Sequence, residues 1–195
     1  MSDAAEQLMT ADAFLIWRQD QEGTWELVDG VPVLKFDNGP NMMAGGRRDH
    51  ARVASNIVRH LGNRLAGGPC YPLGSDLAVR TKAWGVRQPD VTVECGQGRG
   101  EDLEATEARV IFEVLSPSTR GTDLVRKAEE YRRLPETQQL ILMEPDRAKA
   151  LLWTRDGADW RQDWVEGLEG VLDLACIGVQ LPLAEAYEGV ATDGR

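Results

Sequence analysis

The chain has 195 residues, with 32 acidic against 22 basic side chains and a formal net charge of −10. That length suits one domain able to bury a substantial core, and the acidity excludes a tight, non-specific nucleic-acid coat protein, which would need Lys and Arg to neutralise phosphates. Cys70, Cys95 and Cys176 lie far apart with no C-x-x-C pair, which suggests neither a disulfide framework nor a zinc site; with no signal-like start and no run of transmembrane length, a cytoplasmic protein without a membrane span is expected.

Residues 1–9 read as a flexible N-terminus, and Thr10 can cap a first helix over residues 10–20. Residues 25–28, Asp29-Gly30 and residues 31–36 have the strand, turn, strand pattern of a two-residue hairpin, in which Glu26 alternates away from Trp25 and Leu27. Residues 38–46, with three glycines and no periodicity, predict a mobile loop. A long helix over residues 49–66 puts Val53, Ile57, Leu61 and Leu65 on one stripe, with Arg48, Arg52 and Arg59 flanking it. Short β-type runs are expected at 70–71, 76–81 and 87–94, then a polar surface connection over 96–107. A strand at 110–115, a helix over 123–134, strands at 139–143, 150–154 and 160–165, and a short helix at 183–187 complete the chain. The fold class is α/β: a mixed sheet flanked by helices, with an N-terminal helix and hairpin.

Residues 110–115 (V-I-F-E-V-L) form an apolar run that reads as a strand covered on both faces, with one carboxylate, Glu113, in its middle. A buried carboxylate normally neutralises, pairs or binds a metal. Asp90, in R-Q-P-D-V-T-V, falls on another expected strand, and Glu26 can add a further charge from the hairpin. On the helix after Glu113, Leu124, Ala128 and Tyr131 share one face, and Lys127 is the ammonium directed with them toward the sheet. One reading is a buried ion pair. The other is an all-oxygen cluster for Mg²⁺ or Mn²⁺, with a lysine to orient water or offset negative charge, the chemistry of phosphodiester hydrolysis.

The succession P-D-V (89–91), E-V-L-S-P-S-T (113–119), Asp123, Lys127 and Tyr131 resembles the signature of the Uma-type family of restriction endonucleases, in the PD-(D/E)XK nuclease superfamily. W-E-L-V-D-G (25–30), His50, G-S-D-L-A-V-R (74–80) and L-P-L-A-E-A-Y (181–187) follow in the family's order, so the likeness spans nearly the whole chain. The resemblance implies a restriction-endonuclease-like core and a Mg²⁺- or Mn²⁺-dependent endonuclease acting on DNA. It implies that Asp90 and Glu113 ligate the metal, with the backbone carbonyl of Val114 as a further ligand, and that Glu26 is the extra acidic residue beside the pair. Leu115 occupies the E-x-K lysine position, and the resemblance moves the amine to Lys127. Cutting two strands would suit a homodimer. The alternative is a catalytically inactive member of the fold that binds nucleic acid or protein.

His50, at the start of the long helix, can contact a phosphate, transfer a proton or serve the local structure. Arg47, Arg48 and Arg52 can meet a nucleic-acid backbone or form a solvated helix face. Asp76 reads as a turn aspartate, and Trp153, Trp160 and Trp164 as core or subunit contacts.

Overall fold

The computed structural model describes residues 8–35, 48–115 and 121–192. The expected loop at 38–46, Arg47, most of the expected flexible N-terminus and the S-P-S-T-R segment at 116–120 lie outside them.

Helix α1 (Ala11–Trp17) starts where expected, because the Thr10 hydroxyl accepts the Ala13 N–H at 3.2 Å. It buries Ala11, Phe14 and Leu15 against Leu27 and Val86. The hairpin of β1 (Trp25–Val28) and β2 (Val31–Leu34) turns through Asp29 and Gly30, both at positive φ (50° and 85°), the signature of the mirror-image turn that suits strand twist. With β4 (Val79–Lys82) and β5 (Gly85–Arg87) the hairpin makes a four-stranded sheet in the order β2-β1-β5-β4.

The larger, six-stranded sheet runs β10-β9-β8-β7-β6-β3. Its members are β3 (Cys70–Gly74), β6 (Val91–Cys95), β7 (Ala108–Val114), β8 (Gln139–Met143), β9 (Lys149–Asp156) and β10 (Asp159–Glu166). The β7–β8 pair is parallel, joined through helix α3 (Thr122–Arg132), and the other pairs are antiparallel. Helix α2 (Arg48–Leu65) lays Val53, Ile57 and Leu61 on Val91, Val93, Val110 and Phe112; α3 packs Ala128 and Tyr131 on Ile111 and Leu140 across the sheet. Strand β7 is therefore covered on both faces, which explains its nearly unbroken apolar sequence. The mixed α/β architecture is the one expected. No helix among the described residues is long and apolar enough to cross a membrane.

Four expectations need correction. The run 87–94 is two strands in different sheets: β5 ends at Arg87 and β6 begins at Val91, because Pro89 has no N–H for a ladder and restricts the residue before it. Asp90 therefore sits at the seam between the sheets, not within a strand. Cys70 and Cys95 are a disulfide, since the β3–β6 register places them opposite one another with Cα atoms 4.0 Å apart. Sequence separation hid that pairing, which the expectation of no disulfide framework had passed over. The tryptophans of β9 and β10 divide: Trp153 packs against the cluster under α3 as expected, but Trp164 is 55% exposed and outside the core, and Trp153, Trp160 and Trp164 lie against Arg132, Arg155 and Lys149. Finally, β11 (Val171–Leu174) and β12 (Val179–Pro182) precede the expected short helix α4 (Leu183–Ala186), and their Leu172, Leu174 and Leu181 complete the core under α2.

Candidate active site

In the β6–β7 ladder Val91 faces Phe112, so Asp90, one residue earlier, comes beside Glu113, one residue later. The link is direct at the backbone, where the Val114 N–H donates to Asp90 Oδ2 at 2.8 Å. Both carboxylates are buried.

Asp90 lies between two basic side chains. Lys35 Nζ donates to Oδ1 at 2.7 Å, and His50 Nε2 lies 3.1 Å from Oδ2. Burial pushes the Asp90 carboxyl up, but Lys35 and His50 outweigh it and hold the group well below the usual carboxylate range. Glu113 is shifted the other way. Tyr131 Oη donates to its Oε1 at 2.7 Å, and Lys127 Nζ is 3.9 Å from the same oxygen. Burial raises the Glu113 carboxyl, Asp90 and Glu26 add to the rise, and Lys127 does not offset them. Burial and Glu113 together lift the Tyr131 hydroxyl far above its ordinary range, so it stays a donor.

Lys127 pairs with Glu26, whose Oε1 accepts Nζ at 2.8 Å and the Gln88 N–H at 3.2 Å. Glu26 Oε2 accepts Arg87 Nη1 at 2.9 Å, and Arg87 Nε donates to Glu130 Oε2 at 2.7 Å. Burial opposes ionisation of Glu26, but Lys127 and Arg87 keep its carboxyl below the ordinary value. The four acids and three bases thus form one buried chain, from Glu130 through Arg87, Glu26 and Lys127 to Glu113, ending at Asp90 and Lys35.

Asp90, Glu113, Val114, Lys127, Glu26 and His50 are all brought together. Arg48 and Arg52 are exposed on α2, each two positions and so about 200° around the helix from His50, and Arg52 rests against Gly189 in the C-terminal segment. A cavity of about 510 Å³ opens instead between α2 and the end of β3, lined by Ala54, Ser55, Val58 and Gly74, with His50 and Asp90 at its wall. Asp76 stays with the turn, its carbonyl accepting from Arg18.

Sequence reasoning missed Lys35, Arg87 and Glu130. Lys35 had a readable signal, because Glu26 pairs with Val33 and alternation carries Val33's face on to Lys35. Arg87 was hidden by reading 87–94 as a single strand.

No cluster of three or more His, Cys, Asp or Glu side chains among the described residues forms a ready metal cage. The two carboxylates nevertheless suit a hard cation held with main-chain oxygen and water. Among the described residues only one oxygen of Glu113 is bonded, and its carboxyl resists ionisation beside an already ionised Asp90. A cation between them would remove both penalties.

A family model, Uma2, described as "Putative restriction endonuclease", matches residues 11–184. An uncharacterised protein of Synechocystis, slr1290, is 26% identical over 186 residues, covering 94% of this chain and 93% of its own. The crystal structure of a protein from Anabaena variabilis, described as a putative nuclease belonging to DUF820, superposes with a TM-score of 0.69 at 16% identity, over 92% of this chain and 97% of that one. At that identity the likeness concerns the fold.

Proposed function

The chain belongs to the Uma2 family of putative restriction endonucleases, and from that premise we propose that it is a metal-dependent endonuclease that hydrolyses phosphodiester bonds in DNA. The observation that carries the reading is the buried pair Asp90 and Glu113, adjacent across the β6–β7 ladder with opposite ionisation tendencies. Asp90, Glu113 and the Val114 carbonyl would hold Mg²⁺ or Mn²⁺, which would supply Lewis acidity at the phosphoryl group and make water a stronger acid. Lys127 places a positive charge beside Glu113, where negative charge grows as the phosphodiester is attacked. Glu26 fixes that ammonium, and Arg87 fixes Glu26. His50, at the wall of the cavity, would meet a substrate phosphate, and Arg48, exposed at the start of α2 on another side of the helix, would meet the nucleic-acid backbone.

Titration of the protein with Mn²⁺ should show binding that Asp90→Asn and Glu113→Gln each abolish, and undiminished binding in both variants would remove the proposal. The net charge of −10 makes affinity for duplex DNA weak at physiological salt, and Arg48→Ala should reduce both it and its salt dependence. Wild-type protein that binds the cation but cuts neither DNA nor RNA would favour the alternative, a binding module on a nuclease fold.

A further inference from the structure

Lys35 directly follows β2, and its N–H continues the hairpin ladder to the Thr24 carbonyl at 2.8 Å. From that anchored backbone the side chain enters the site, 4% exposed, and Nζ donates to Asp90 Oδ1 at 2.7 Å and to the Gln88 carbonyl at 2.5 Å. Burying an ammonium is costly, so its position calls for a reason. Lys127, equally buried, has Glu26 as a counter-charge. Lys35, among the described residues, rests on the carboxylate that the functional reading assigns to a divalent cation.

An ammonium 2.7 Å from Oδ1 and a divalent cation on the same oxygen would be like charges a few ångströms apart in a largely buried site, where repulsion is less screened than in bulk water. We propose that Lys35 is the internal competitor of the divalent cation at Asp90. In the metal-free protein it neutralises Asp90 and keeps the carboxylate ionised and ordered. When a cation is taken up, Lys35 gives up Oδ1, and its flexible four-carbon stem lets the ammonium move while the Gln88 carbonyl offers it a continuing acceptor. Lys35 thereby sets the cation affinity of the site, trading tight binding for a stable unloaded state. His50 fills this role less well, because its Nε2 lies farther from Asp90, at 3.1 Å, and its ring is carried on a short stem from a buried helix position. The inference rests on the reading of Asp90 as a metal ligand.

The test uses the full chain with Mn²⁺ as the probe. By calorimetry, Lys35→Met and Lys35→Gln should bind Mn²⁺ at least tenfold more tightly than wild type. Both should melt at lower temperature than wild type without metal, through loss of the partner of Asp90, and gain more from Mn²⁺ than wild type does. A merely structural lysine would lower melting equally with and without metal. Pulsed amine labelling of the wild type read by mass spectrometry gives a measurement that needs no variant: Lys35 should be protected without metal and label faster with Mn²⁺, while the more exposed Lys82 and Lys149 stay constant. Unchanged affinity in the folded variants, or unchanged Lys35 labelling in metal-saturated wild type, overturns the competitor role and leaves the metal reading intact. No Mn²⁺ binding by wild type and variants alike overturns the metal reading itself, and the inference with it.

Discussion

Lys127→Met is expected to lower DNA cleavage by about two orders of magnitude while leaving folding and Mn²⁺ affinity near those of the wild type. A hundredfold loss corresponds to about 2.7 kcal/mol of transition-state stabilisation, a reasonable share for one positioned charge. The fold should survive because Glu26 keeps two donors, Arg87 Nη1 at 2.9 Å and the Gln88 N–H at 3.2 Å, and because methionine retains most of the aliphatic volume. The Lys127 ammonium is 3.9 Å from Glu113 Oε1, too far for a strong direct bond, so removing it disturbs the charge around the pair more than its geometry. Single-turnover cleavage of a plasmid, with urea unfolding run in parallel, separates the outcomes. Normal cleavage by a destabilised protein would identify Lys127 as a structural ion-pair partner, the plainer reading of a buried lysine beside a glutamate.

The legible and illegible parts of the molecule differ for a physical reason. Periodicity reports burial along one element, so α2 with its Val53, Ile57 and Leu61 stripe, β7 and β8 could be read directly, as could a hairpin whose Asp29-Gly30 turn demands positive φ. Glu113 and Lys127 were visible as charges that their own elements did not explain. The disulfide, by contrast, depends on the register between β3 and β6, and the switch between sheets at Asp90 on what a single proline does to a ladder. Among the described residues, strands β11 and β12 are short and pair only with each other, so they carry too few alternations to stand out. The face of Lys35 could be followed along the hairpin, but its partner Asp90 lies 55 positions away, and Arg87 lies 61 positions from Glu26, so no local pattern announces either pairing.

Arg87 supports the largest expected loss of stability. It is 1% exposed and ties three elements together, with Nη1 on Glu26 of β1 and Nε on Glu130 of α3 while its own backbone ends β5. Burial disfavours the guanidinium, yet Glu130 and Glu26 raise its pKa above an already high value, so it is charged at every working pH. Arg87→Met leaves two buried carboxylates with reduced compensation. Glu26 retains Lys127, and Glu130 retains Arg126 Nε at 3.0 Å, which places the cost near the lower end of the roughly 3–5 kcal/mol for breaking a buried ion pair. Urea unfolding should show the midpoint falling at an unchanged m-value. Arg87→Lys should not rescue it, because one ammonium cannot reproduce a planar fork with separate nitrogens on two acids. Adding Glu130→Gln to Arg87→Met should recover part of the loss, since it removes one of the stranded charges, and the double-mutant cycle measures that coupling. A loss below about 1 kcal/mol would mean the pairing is worth no more than a surface salt bridge. The folded fraction of Arg87→Met should also cleave more slowly than wild type, because Glu26 then loses the partner that fixes its second oxygen and holds Lys127 less firmly beside Glu113.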